Sequence, residues 1–324
     1  MAFIELDAKD QKILFAFSLN ARQPLANVAK ELGLSKQVVV HRLERLEKSG
    51  VIEGYYAIVN INKLGYLYYR IFFKFQNVNP VKEEEIIDYC RKHTKIGWVF
   101  QLDGEWDFAV AVWVKDLLEF EEILDELQNK FGRFIHDKHI SISTTIHHLK
   151  QKYLIGKEDN TELVLGGPPS RAKLDDLDYE ILGLLTKNGR LSLLKMGDAL
   201  KTDPKVISYR LQKLMNEGII LGFNVKINHR LLGFTHQKVF LNLTNISEES
   251  RRKLIEYLKN LTSSIYITKA VGVADLEFEL MVKSNEESHY ILRQLRYEYS
   301  AVIRSYTSFI IYDEPYINYL PQKK

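Results

Sequence analysis

Apolar residues first recur at helical spacing near the start of the chain, where Ile13, Leu14 and Phe17 line one side of residues 7–19. A second short helical pattern, PLANVAKEL, opens at Pro24, whose missing N–H suits a first helical turn, and stops at Gly33. Ser35 then stands where it can cap a third helix, KQVVVHRLERLEKSG, with Val39, Leu43 and Leu46 as its apolar stripe and Gly50 as its stop. Two helices joined by a tight turn describe a helix-turn-helix: Ala29 is small where the helices approach, and Gly33 can take the positive φ of the turn. The pattern then changes. GYYAIVN reads as a strand, NKLGY as a turn and YLYYRIFFKFQ as a strongly β-prone strand. VKEEEIIDYCRKH reads as a helix, GWVFQLD and WDFAVAVWV as a hairpin around Gly104, LLEFEEILDELQNKF as a helix, and RFIHDKHISISTTI as a last strand. The order β-α-β-β-α-β is that of a ferredoxin-like unit, an antiparallel sheet with helices on one face.

The whole series then repeats. LDAKDQKIL at Leu6 returns as LDDLDYEIL at Leu174, and KSGVIEGYYAIVNINKLGY at Lys48 returns as NEGIILGFNVKINHRLLGF at Asn216. One ungapped register also aligns Asn20 with Asn188, Arg22 with Arg190, Arg42 with Arg210, Gly104 with Gly272 and Asp107 with Asp275. The unit is too long for a solenoid repeat and is a duplicated multi-element module. The expected fold class is α+β, with two winged helix-turn-helix domains (1–60 and 174–228) and two ferredoxin-like domains (61–150 and 229–314). Residues 151–173, with Gly166, Gly167, Pro168 and Pro169 as breakers, read as a linker, and 315–324 as a tail. A sheet covered on one face leaves the other needing a partner, which the second copy can supply as an internal pseudo-dimer; a homo-oligomer of chains is the other arrangement.

The third helix of the first copy turns Lys36, Gln37, His41, Arg42 and Arg45 away from or beside its apolar stripe, and with Ser35 at its start these are the candidate DNA contacts. A helix fits the major groove of double-stranded DNA, where Arg and Gln read base edges and Lys pairs with phosphate. A solvated charged face is the plainer reading of such a helix alone; the tight turn, the capping Ser35 and the duplication favour DNA. In the second copy Asp203 and Pro204 supply the cap and first position, and Lys205, Ser208, Tyr209, Arg210 and Lys213 are the candidate contacts. Lys201 stands where the first copy has Gly33, and Gly197 where it has Ala29, so this head is expected to be strained at its turn, with altered preference or only a structural role.

Composition adds exclusions. The 324 residues carry a formal net charge of +3 with pI near 8.6, so DNA binding would rest on where the cations sit. Cys90 is the single cysteine, which rules out an internal disulfide or a multi-thiolate metal site within one chain. The acidic, amphipathic start does not read as a signal peptide, and runs such as FAVAVWV are far too short to span a bilayer, so a cytoplasmic protein without membrane contact is expected. No serine–histidine–acid triad, zinc spacing or phosphate-binding glycine loop stands out; neither a cofactor nor catalysis is expected.

A helix-turn-helix opened by LDxxDxxIL, followed by GVIEGYYAIVN and a β-α-β-β-α-β domain with Gly-x-x-Asp in its hairpin, resembles the Lrp/AsnC family of transcriptional regulators, twice over. Members of that family typically carry one unit per chain and assemble through the C-terminal domain, so the fusion is a departure. The resemblance implies a small effector, commonly an amino acid, at the hairpins Gly104-Glu105-Trp106-Asp107 and Gly272-Val273-Ala274-Asp275. A tight turn with Asp satisfying its own backbone explains the same residues without a ligand. Siroheme decarboxylases resemble the same duplicated fold, and that alternative implies histidines and arginines around a tetrapyrrole. His136, His139, His147 and His148 are present, although the second copy lacks equivalents.

Overall fold

The computed structural model describes residues 3–244 and 247–321. Each copy opens with three helices, α1 (Ala8–Phe17), α2 (Leu25–Leu32) and α3 (Lys36–Lys48), then α6 (Asp176–Lys187), α7 (Leu193–Leu200) and α8 (Pro204–Asn216) in the second copy. The sheet domain of the first copy contains β2 (Leu67–Phe75), α4 (Pro80–Lys92), β3 (Ile96–Asp103), β4 (Phe108–Val114), α5 (Leu117–Phe131) and β5 (Ile135–Leu149). The second contains β8 (Thr235–Leu243), α9 (Glu248–Asn260), β9 (Ser264–Gly272), β10 (Leu276–Val282), α10 (Asn285–Glu298) and β11 (Ile303–Ile317). Helices and strands thus follow the order that the sequence pattern predicts.

The wing strands β1 (Ile52–Val59) and β7 (Ile220–Ile227) pair with each other, antiparallel, instead of each closing its own wing. Both three-helix units therefore share one core, in which Ile13, Leu14 and Phe17 join Ile181, Leu182, Leu185 and Phe223. The contacts are reciprocal under the repeat: the Ala21 N–H donates to Phe223 O at 2.8 Å and the Gly189 N–H to Tyr55 O at 2.8 Å. Arg22 donates to Gly189 O and Leu191 O, and Arg190 to Ala21 O, so matching arginines hold the turns after α6 and α1 across the seam.

The two ferredoxin-like sheets do not merely stack. Within each, the order is 4-1-3-2 (β5-β2-β4-β3 and β11-β8-β10-β9), and the outer strands then pair across copies, β3 with β11 and β5 with β9. Eight strands close into a barrel, with each outer strand of either sheet paired to a strand of the other copy. Period-2 alternation decides what faces where. On β2, Tyr69, Ile71 and Phe73 pack under α4 and α5, while Tyr68 and Phe72 join the lumen. On β10, Leu276, Phe278 and Leu280 pack under α9 and α10, while Glu277 and Glu279 alternate with them.

The segment between copies is more ordered than a free linker. Its strand β6 (Glu162–Gly166) adds to β5, Leu165 is buried in the lumen cluster, and Leu154 in the shared helical core. The C-terminal stretch is likewise packed: β11 runs to Ile317, and Tyr319 and Leu320 are buried, while residues 322–324 of the expected tail lie outside the described residues.

Candidate nucleic-acid interface and barrel interior

Helix α3 begins where expected: Ser35 accepts from the Val38 N–H, and Gly33 lies in the left-handed region at φ 65°. In the second copy Asp203 accepts from Lys205 N–H, and Lys201 is held in the same left-handed conformation at φ 49°, the strain that its sequence position implies. Gly197 is required by close approach, since a Cβ there would lie 2.8 Å from Thr202 O.

The candidate contact residues divide into two groups. Lys36, Gln37, His41 and Arg45 are exposed on α3, as are Lys205, Ser208 and Tyr209 on α8, with Ser35 exposed at the α3 cap and Lys213 half-buried. Arg42 and Arg210 are engaged within the chain. Arg42 bonds Asp7 at 2.7 Å and the buried Asp10 at 2.8 Å; Arg210 bonds Asp175 at 2.6 Å and the buried Asp178 at 3.2 Å. The hydrogen bond from Arg42 holds the Asp7 carboxyl down at about 2. Two acids of the LDxxD pattern and an arginine one helix-turn-helix later thus form a brace between first and third helix, twice. Arg45 also reaches Asp10 but keeps half of its side chain in solvent.

The hairpin residues serve the barrel. Asp107 accepts from the Phe75 N–H at 2.7 Å and pairs with Lys74, and Asp275 accepts from the Leu243 N–H at 2.7 Å. Both carboxylates therefore fasten a hairpin to the neighbouring strand. Gly104 and Gly272 abut the opposite copy: a Cβ would lie 2.9 Å from the Phe309 Cβ at the first and 2.2 Å from Ile140 O at the second. Trp106 is buried beside His139, ring centres 4.5 Å apart.

Sequence reasoning missed a buried ionic network in the lumen. Arg70 donates to both oxygens of Glu277 and to Ser141; Lys238 bonds Glu277 at 3.0 Å and Glu279 at 2.6 Å; His236 meets Glu279 at 2.8 Å. Burial opposes ionisation of Glu279, and Lys238 and His236 overcome it, so its carboxyl lies well below the ordinary range. The network is one-sided. The first-copy positions matching Glu277 and Glu279 are Ala109 and Ala111. The available signal was two acids spaced by two in the apolar strand LEFEL, opposite Arg70 in another apolar strand.

The histidines that the tetrapyrrole alternative would use, His136, His139, His147 and His148, do not converge. His136 is exposed, His139 is half-buried and meets Asp137, His147 pairs with Glu162 of β6, and His148 points the other way into the lumen, where burial lowers it to about 4. Two neighbouring cavities occupy the lumen. One, of 40 Å³, is lined mainly by apolar and aromatic groups including Phe72, Phe100, Trp113 and Ile146. The other, of 120 Å³, lies toward the β1–β7 ribbon and is lined by polar groups including His229, His236 and Glu314.

A winged helix-turn-helix DNA-binding family model matches residues 6–53 and again 174–220. The transcriptional regulator LrpA of Pyrococcus horikoshii is 30% identical over 128 residues, 40% of this chain and 87% of that protein. The chain belongs to the Lrp/AsnC family. Another Lrp/AsnC-like relative, the regulator Ptr1 of Methanocaldococcus jannaschii, is 31% identical over 121 residues, 37% of this chain and 80% of its own length. Both of these regulators are the length of a single unit, and the matched pattern occurs twice here, so the present chain is a tandem Lrp/AsnC protein. Among solved structures, the siroheme decarboxylase NirDL covers 97% of this chain and 94% of its own at TM-score 0.64 but 13% identity, a likeness of the doubled fold. Among the described residues, no helix is long and apolar enough to cross a membrane.

Proposed function

We propose that the chain is a sequence-specific transcriptional regulator in which a single polypeptide presents two unlike DNA-reading heads. The observation that carries this reading is the pairing of β1 with β7, which fixes two complete helix-turn-helix units side by side, each with its third helix exposed. Lys36, Gln37, His41 and Arg45 form the first reading face, and Lys205, Ser208, Tyr209 and Lys213 the second, with Ser35 near the first. Lys and Arg at such positions bind phosphate or guanine edges, and Gln can pair with adenine. Arg42 and Arg210 act as positioning residues that set the pitch of each reading helix against its first helix. Because the faces differ, the operator is unsymmetrical.

The relatives named as regulators support this reading, and so does the retention of the acid–arginine brace in both heads. Catalysis on a tetrapyrrole finds less support: the four histidines diverge, and both lumen cavities are far smaller than a four-ring macrocycle. An amino-acid effector at Gly104/Asp107 or Gly272/Asp275 would have to compete with the backbone N–H groups that already occupy both carboxylates. The test is charge reversal in one head at a time. Lys36→Glu and Lys205→Glu should each weaken binding to a selected operator and lower its salt dependence. Unchanged binding in both variants would overturn the reading.

A further inference from the structure

We propose that the 120 Å³ chamber beneath the β1–β7 ribbon binds a small organic cation, a primary amine of about five non-hydrogen atoms. Its wall carries one acid that the chain leaves unmatched, Glu314. No donor among the described residues closes a hydrogen bond to this carboxylate, and the nearest basic nitrogen is His236 Nδ1 at 4.0 Å. That imidazole already holds Glu279 through Nε2. The Trp98 N–H lies toward Glu314 without completing a hydrogen bond. Tyr319, 5% exposed, likewise leaves its hydroxyl unpaired at the chamber wall. Native interiors rarely leave such groups without partners. An ammonium would donate to the carboxylate and to the Tyr319 oxygen together.

The neighbouring ionic network shows the sign of the missing charge. There, Glu277 and Glu279 are matched by Arg70 and Lys238. At the chamber, Lys226 is taken by Glu53, Arg230 lies exposed over the Tyr312 ring, and burial keeps His229 neutral, at about 3. Without a counter-ion, the Glu314 carboxyl is pushed up by burial, whereas that of Glu279 is held down. Tyr56, Trp98, Tyr266 and Tyr319 line the same space with aromatic rings, whose faces attract cations. An anion would meet Glu314 and Asp313, with only the exposed Arg230 to receive it.

The duplication supplies an internal comparison. One repeat earlier, Glu314, His236, Met281 and His229 correspond to Ile146, Tyr68, Trp113 and Ile61. Those four residues pack into the apolar lumen cluster and leave a cavity of only 40 Å³. The second copy has opened the same place by exchanging apolar bulk for an acid, imidazoles and a slimmer side chain. Size sets the length of the occupant. A cavity of roughly 150 Å³ takes benzene, so 120 Å³ suits a molecule of about five non-hydrogen atoms. Because the wall includes Tyr56 and Asn224 of the ribbon and His236 and Glu314 of the barrel, the occupant would touch both.

Binding here is independent of the reading heads and is tested without DNA. The full chain is titrated by calorimetry with n-butylammonium, 1-butanol and propionate, which match in size and differ in charge. Tryptophan fluorescence is a second readout because Trp98 lines the chamber. Butylammonium should saturate at one per chain with a Kd no tighter than about micromolar, the ceiling for so small a ligand. 1-Butanol should bind at least about tenfold more weakly, and propionate should not bind. Glu314→Gln should weaken butylammonium about tenfold or more and leave 1-butanol within about twofold, while thermal unfolding stays cooperative. Glu314→Ile, which installs the side chain found one repeat earlier, serves if that variant does not fold. A chamber that holds only water would give no saturation with butylammonium. That result, 1-butanol or propionate binding as tightly as the amine, or full amine binding in a folded Glu314 variant would each overturn the proposal.

Discussion

Arg70 and Glu277, 207 residues apart in the chain, meet as a bidentate ion pair inside the barrel, with Arg70 Nη2 2.7 Å from Glu277 Oε1 and both side chains buried. Each belongs to a different copy, so the pair ties the two halves of the molecule together at their centre. Removing Glu277 would leave Arg70 buried without a carboxylate, and removing Arg70 would leave the buried Glu277 to Lys238 alone. Arg70→Leu or Glu277→Leu alone should destabilise by about 3–5 kcal/mol, and the double variant by less than the sum of the two. Urea unfolding of the four proteins of this cycle measures it; simple additivity would show that the pair is not coupled.

The lumen also contains an exchange of volume between copies. Trp113 lies over Gly97, where a Cβ would sit 2.0 Å from the indole, whereas the second copy has Met281 and Ile265 at the same two places. A large side chain on one strand is matched by none on its neighbour, and a medium pair does the same work elsewhere. Gly97→Ile alone should cost several kcal/mol through overpacking, on the order of 1–3 or more, and Gly97→Ile with Trp113→Met should recover much of the loss. Thermal melts decide it: a double variant no better than Gly97→Ile would mean that the two sites are not complementary.

Burial of His148 gives stability a pH dependence of fixed sign. The folded chain resists protonating this imidazole until about 4, while the unfolded chain takes up the proton near 6.5. Stability from this residue is therefore complete above pH 7 and lost progressively as the pH falls toward 4, by at most about 3 kcal/mol. Burial lowers His229 in the same direction. Urea midpoints across pH 4–7.5 should decline with acid, and His148→Gln should flatten the decline; an unchanged slope would assign it to other groups.

Brace and reading face should separate experimentally. Arg42→Ala leaves the buried Asp10 with only the half-exposed Arg45 and should lower stability by about 1–3 kcal/mol as well as DNA affinity. Lys36→Ala, on an exposed side chain, should leave the melting temperature within a degree or two and reduce DNA affinity nearly uniformly across sequences, with a salt slope smaller by about one. Melting curves and anisotropy titrations of both variants test the division.

Much of the architecture was legible because local chemistry and global fold agree. Ser35 and Asp203 cap the helices they precede, Gly33 and Lys201 take the turn conformation that their positions demand, and one ungapped register aligns every element. What escaped reading depends on closure of the barrel. Alternation placed Glu277 and Glu279 on one face of a strand, but nothing local says that Arg70 of the other copy lies opposite. Strand β6 was hidden among charged residues and the Gly166–Pro169 breakers, since its pairing on β5 is set by tertiary fit rather than by propensity. Arg42 and Arg210 looked like free DNA contacts because their acid partners lie some 30 residues earlier; the repetition of both acids and arginine at one spacing was the missed signal.

Whether one chain reads DNA with two unlike heads is decided by selecting bound fragments from the source genome and titrating the best of them at several salt concentrations. Two unlike heads should enrich a shared motif with two dissimilar half-sites, bound with an affinity that falls steeply as salt rises. Weak binding without a common motif, or a perfectly palindromic motif with equal protection of both halves, would contradict it.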